Sequence, residues 1–192
     1  MIPADLVYID EHGLRGSNFY WHKYATHGLT KDDILKAGLT SDRVQLSKDL
    51  IEPLLAINDE IASRGHHLYI KEGYRSDAVY EIVYQRRVEK YGKEMTDLLL
   101  NIEDRPHAIG RSVDVALWDV EQDKEIFLRD GKDDPHALFI DFYKGKSDEA
   151  AKRFQALQEY MADLMQRRGF RLGKRREYFH FDYRPDTPPN YP

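Results

Sequence analysis

The chain has 192 residues, 29 Lys and Arg against 34 Asp and Glu for a net charge of −5, and no cysteine. At about 150 residues per domain that is one ordinary domain, residues 1–192 together, large enough to bury roughly 70% of its unfolded surface without a staple. The missing cysteines exclude disulfides, thiol nucleophiles and thiolate zinc sites, so any chemistry must come from His, Asp, Glu, Arg, Ser or Tyr.

The two charge signs are interspersed, which gives no electrostatic footprint for nucleic acid. The longest aliphatic stretches, Leu54–Ile57 and Leu98–Leu100, fall far short of the ~20 apolar residues of a membrane span. Met1–His12 carries Asp5, Asp10 and Glu11 where a secretory signal would be basic and then apolar, so a cytoplasmic protein is expected. The sequence leaves oligomeric state open.

Arg43–Arg64 places Val44, Leu46, Leu50, Ile51, Leu54, Leu55, Ile57 and Ile61 near a helical period with Gly65 as stop, and Pro53 should bend or split that helix. His67–Glu72 alternates like a strand and runs into Gly73. Ser76 is placed to cap a helix to Tyr91, closed by Gly92. Arg111–Trp118 reads as a strand with Val113, Val115 and Leu117 on one face and Ser112, Asp114 and Ala116 on the other. Asp119–Lys124 then turns into a return strand over Glu125–Leu128. Ser147 should cap the clearest helix: Asp148 and Glu149 fill its first turn, and Phe154, Leu157, Met161, Leu164 and Met165 form its apolar stripe. Arg167 and Arg168 follow in its last turn, before Gly169. The aromatic run Glu177–Tyr183 reads as a strand, and 185–192 as an extended Pro-rich tail. Helices and strands that do not alternate regularly predict an α+β fold with a mostly antiparallel sheet flanked by helices.

Of eight histidines, two have informative neighbours. His107 precedes a turn that leads to Asp114, an acid in a β-rich run, where strands deplete Asp and a salt bridge to Arg is the ordinary explanation. His180 follows Glu177 by three positions. Together they supply two imidazoles and a carboxylate, the ligand count of a catalytic zinc with one open position, and a second carboxylate to act as base. The Glu177–His180 spacing shares a face on a helix but splits across a strand; Glu177 is therefore placed at the irregular entrance of the strand. No His-Glu-x-x-His helix is present.

The ordered set Gly-Tyr-Arg-Ser at 73–76, His-x-x-Gly-x-x-x-Asp from His107 to Asp114 and Glu-x-x-His from Glu177 to His180 resembles the zinc D-alanyl-D-alanine dipeptidases of the VanX type. These belong with related D,D-carboxypeptidases and peptidoglycan endopeptidases. Lys-Tyr-Ala-Thr at 23–26 and Ile-Asp-Phe at 140–142 extend the resemblance over most of the chain. It implies one zinc ion held by His107, Asp114 and His180, Glu177 as catalytic base, and Arg75 stabilising the oxyanion. It further implies that Asp141 holds the substrate's free ammonium. The chain departs where Arg105 and Pro106 replace the usual Ser residues before the first ligand, where Tyr178 and Phe179 stand between Glu177 and His180, and where His27–Asp33 replaces a substrate-facing stretch.

The expected activity is hydrolysis of D-Ala-D-Ala or a similar small D,D-dipeptide. The alternatives are a D,D-carboxypeptidase or endopeptidase on longer wall peptides, with Arg105 receiving an extra carboxylate, and a non-catalytic zinc-binding module.

Overall fold

A computed structural model describes residue 3 and residues 5–132 and 134–191. Five strands form the path of the main sheet. They are β2 (Arg15–Gly16), β4 (His66–Glu72), β5 (Ser112–Asp119), β8 (His180–Tyr183) and β7 (Phe170–Leu172), in that spatial order, and β6 (Lys124–Ile126) also pairs with β5. Among the described residues only β2 on β4 is parallel. A separate antiparallel pair joins β1 (Leu6–Tyr8) to β3 (Gln45–Ser47). The helices are α1 (Phe19–Lys23), α2 (Lys31–Lys36), α3 (Ile51–Ala62), α4 (Asp77–Tyr91), α5 (Lys93–Leu99) and α6 (Glu149–Arg167). This is the expected α+β arrangement.

One face of the sheet presents Leu68, Ile70, Val113, Val115, Leu117 and Phe181 to α3 and α6, whose Leu54, Ile57, Ile61, Met161, Leu164 and Met165 complete the main core. Alternation along β5 sends Asp114 to the opposite face. A second apolar cluster, built from Tyr20, Ile34, Val79, Tyr80 and Val83 on α1, α2 and α4, stands apart from that core. No helix among the described residues is long and apolar enough to cross a membrane.

Several elements differ from expectation for identifiable reasons. The helix expected from Arg43 begins at Ile51, because Gln45–Ser47 pairs instead with β1. Pro53 therefore sits in the first helical turn, where its missing N–H has no intrahelical partner to lose, and the helix is not split. Asp148, not Ser147, caps α6, its side chain accepting from the Ala151 N–H at 2.8 Å. Ser76 caps α4 as expected. The strand expected over Glu177–Tyr183 starts only at His180. The tail, expected to be extended, instead turns at 185–187, where Thr187 N donates to Arg184 O, and it packs down: Asn190 pairs through its side chain with both backbone groups of Leu172, and Tyr191 is buried against Gln166. Pro192 lies outside the described residues.

Candidate metal centre

Asp114 and His180 are cross-strand partners on β5 and β8, so both side chains project on the same face. His107 reaches them from a one-turn 3-10 helix, Pro106–Ile109. Three further interactions fix that turn. The His107 N–H donates to the Tyr80 hydroxyl at 3.0 Å. The His107 carbonyl accepts from Arg75 N, and the Gly110 carbonyl from Ser47 N. One ligand atom from each of His107, Asp114 and His180 falls within 4.8 Å of the others. His180 Nδ1 lies 2.8 Å and His107 Nε2 3.3 Å from the same Asp114 oxygen, and the two rings meet edge to face at 4.8 Å.

The remaining imidazole nitrogens are directed away from this point. His107 Nδ1 donates to the Gly73 carbonyl at 2.7 Å, and His180 Nε2 faces Asp182 at 3.4 Å, a carboxylate that also accepts from Ser112 Oγ at 2.7 Å. Each ring therefore has one nitrogen held by an orienting partner and one aimed at Asp114, the arrangement that fixes the tautomer of a metal-ligating histidine. Burial opposes the charged form of His180, but Asp114 and Asp182 overcome it and raise its pKa to about 10. Burial likewise opposes the Asp114 carboxylate, and His107 and His180 overcome it, holding its pKa far below the usual range. Two nitrogens and an oxygen converging on a site this favourable to positive charge fit a divalent cation of zinc's type.

Glu177 lies outside β8, in a bridge to Phe139 braced by Tyr178 N on Leu138 O and Ile140 N on Arg176 O. His180 N donates to Glu177 O at 3.1 Å, a turn rather than a strand, and this brings Glu177 and His180 to the lining of one cleft. The spacing conflict met in the sequence is resolved there, at the strand entrance. Burial raises the proton affinity of the Glu177 carboxyl.

Arg75 is buried and pairs bidentately with Glu72, Nε to Oε1 at 2.8 Å and Nη2 to Oε2, between the Tyr20 and Tyr80 rings at 5.0 and 4.4 Å. Burial alone would lower the Arg75 pKa, and the Glu72 charge raises it. Glu72 reaches this position through a β-bulge. Ile70 pairs with Val115, but Glu72, not Lys71, pairs with Asp114, so one extra residue in β4 turns Glu72 from the apolar face to the site face.

Arg105 lines the cleft, but its guanidinium is bound to Asp77 at 2.9 Å and to Glu81, both on α4. Asp141 is exposed, ion-paired to Arg176 at 2.9 Å, and outside the cleft lining. The cleft has a volume of about 1440 Å³, and Lys and Arg outnumber Asp and Glu along it. Sequence reasoning missed Asp182, Glu72 and the Gly73 carbonyl. The first two carried a signal, as acids inside short strands.

No protein-family profile matches the chain, and no curated protein matches its sequence. Among solved structures it is similar to the LdcB LD-carboxypeptidase, described for its peptidoglycan recognition, at TM-score 0.54 and 17% identity over 95% of this chain and 69% of that one. Weaker likenesses are to a zinc-bound mutant of the vancomycin-resistance D,D-pentapeptidase VanY (TM-score 0.45, 14% identity, 72% of each chain) and to the D,D-dipeptidase VanXYg with a D-Ala-D-Ala phosphinate analogue (0.44, 16%, 93% and 66%). At these identities the likeness is one of architecture: the chain has the fold of the LdcB LD-carboxypeptidase.

Proposed function

We propose that the chain is a zinc-dependent peptidase of the D,D-dipeptidase and carboxypeptidase class, a single domain over 1–192 that binds one zinc ion through His107, Asp114 and His180. The convergence of these three groups beside the half-buried Glu177 carries the proposal. When bound, zinc supplies Lewis acidity toward a water and a peptide carbonyl. Glu177, whose burial favours its protonated form, accepts the water proton and returns it to the leaving amine. Arg75 is held rigid by Glu72, which occupies Nε and Nη2. Its charge stabilises the oxygen that becomes negative only after attack, and so favours the transition state over the substrate.

Within this class the geometry favours a longer wall peptide over a free D,D-dipeptide. The cleft exceeds the roughly 300–1,000 Å³ of a small-molecule pocket. Asp141, the residue expected to hold a free ammonium, pairs with Arg176 outside it. Arg105, expected to receive an extra carboxylate, is already paired with Asp77 and Glu81 and offers no free charge for it.

The test compares zinc content and turnover of the protein and of Glu177→Ala on D-Ala-D-Ala, its N-acylated form and a wall pentapeptide. Zinc retained in Glu177→Ala with activity lost by orders of magnitude supports the assignment, and full activity refutes it. Preference for the free dipeptide reverses the substrate order. Zinc binding with cleavage of nothing in a broad D,D-peptide panel would make the chain a binding module.

A further inference from the structure

The buried face of α4 repeats at Val79, Tyr80, Val83 and then Arg87. The last of these puts a guanidinium where the helical period calls for an apolar side chain. Arg87 is 7% exposed, and among the described residues it has no ion pair to a carboxylate. Its Nε has no hydrogen-bond partner among the described residues, and its side chain hydrogen-bonds to the Tyr20 hydroxyl. The other deeply buried arginines are satisfied, Arg75 by Glu72 and Arg171 by the carbonyls of Thr187, Gln166 and Phe170.

A second orphan lies beside it. Both ring nitrogens of His27 are buried without a partner, while its ring packs on Phe19, Tyr20 and Tyr91. Arg87 and His27 both line the same cleft as the metal ligands. Arg75 stacks over the Tyr20 ring that Arg87 touches at its hydroxyl, so this corner adjoins the site across a single aromatic ring. A buried cation without a counter-charge is heavily penalised unless an anion from outside completes it. Burial, with the charges of Arg87 and Lys90, holds the His27 pKa down to about 4, as expected where only cations are neighbours.

We propose that Arg87 and His27, beside the Tyr20 ring, form an anion subsite of the cleft that takes a carboxylate of the bound peptide. Arg87 supplies the charge and His27 one N–H. The inference deepens the peptidase reading and rests on it for the identity of the ligand.

The test titrates N-acetyl-D-Ala-D-Ala, its C-terminal amide, an amide peptide with an internal glutamate, sodium acetate and inorganic phosphate into zinc-loaded Glu177→Gln protein. The titrations are repeated in the Arg87→Met and Arg87→Lys backgrounds, with thermal melts as the folding control. The acid is expected to bind at least about tenfold more tightly than the plain amide and to shift the His27 ring resonances. Arg87→Met should erase that preference, and Arg87→Lys should keep part of it. Affinity regained by the glutamate amide assigns the subsite to a side-chain carboxylate rather than a terminal one.

Equal binding of all three peptides, or an equal loss for acid and amide in Arg87→Met, overturns the proposal; a His27 response to acetate or phosphate with no preference for the acid peptide marks an adventitious ion only and overturns it as well. Arg87→Lys carries the comparison if Arg87→Met does not fold. If unmutated protein cleaves no peptide but the Arg87-dependent preference holds, the subsite stands and the peptidase reading falls. Cleavage without that preference has the reverse meaning.

Discussion

Glu72→Gln keeps the size of the side chain and removes its charge, which leaves the Arg75 guanidinium, 6% exposed, without its bidentate partner. Removing one member of a buried pair costs about 3–5 kcal/mol, because the other charge remains buried. One term opposes this. Glu72 stands directly across from Asp114, and relieving a like-charge cross-strand pair returns about 0.2–1 kcal/mol. The loss wins, at about 2–5 kcal/mol net. For a chain of this length each kcal/mol moves Tm by about 2–4 °C, so a fall of roughly 4–20 °C is expected in a thermal melt followed by circular dichroism. Adding Arg75→Met removes the stranded charge, and the double variant should recover much of the loss. A melt unchanged in Glu72→Gln, or a double variant that merely adds the two single losses, would show that the pair is not coupled as described.

At Gly173 a Cβ would lie 2.2 Å from Cδ2 of His180, so Gly173→Ala should displace the ring and weaken zinc binding at least about tenfold, read by competition with a chromophoric chelator; unchanged affinity refutes the contact. Asp182→Ala removes the carboxylate facing His180 Nε2 and should lower zinc affinity about 10–100-fold in the same assay. His27 has a folded pKa of about 4 against 6.5 in the unfolded chain, so the fold favours its neutral form. Its contribution to stability is complete above pH 6.5 and is lost as pH falls toward 4. Urea midpoints should therefore drop between pH 7 and pH 5 more in the native protein than in His27→Gln, and identical drops would exclude His27 as the cause.

The sequence by itself determined the elements whose signals are local. The Ser76 cap, the period of α6 and the alternation in β5 act within a turn or a strand, so the residues that specify them are adjacent in the chain. The expected metal ligands His107, Asp114 and His180 were picked out by the resemblance of their ordered motifs to a known family rather than by a local physical signal. Tertiary structure decided what depends on partners far along the chain. Gln45–Ser47 has helical periodicity yet becomes a strand, because β1 offers backbone hydrogen bonds that helix propensity cannot outweigh. The bulge that turns Glu72 toward Asp114 exists only in the register between β4 and β5. The bridge to Phe139 settles where Glu177 lies relative to His180, and the path of the chain leaves Asp141 outside the cleft, paired with Arg176 at the surface. The missing cysteines required a nitrogen-and-oxygen site from the outset. Which groups hold its imidazoles in place, Gly73 through its carbonyl and Asp182 through its carboxylate, was decided when separate strands and turns were folded against one another.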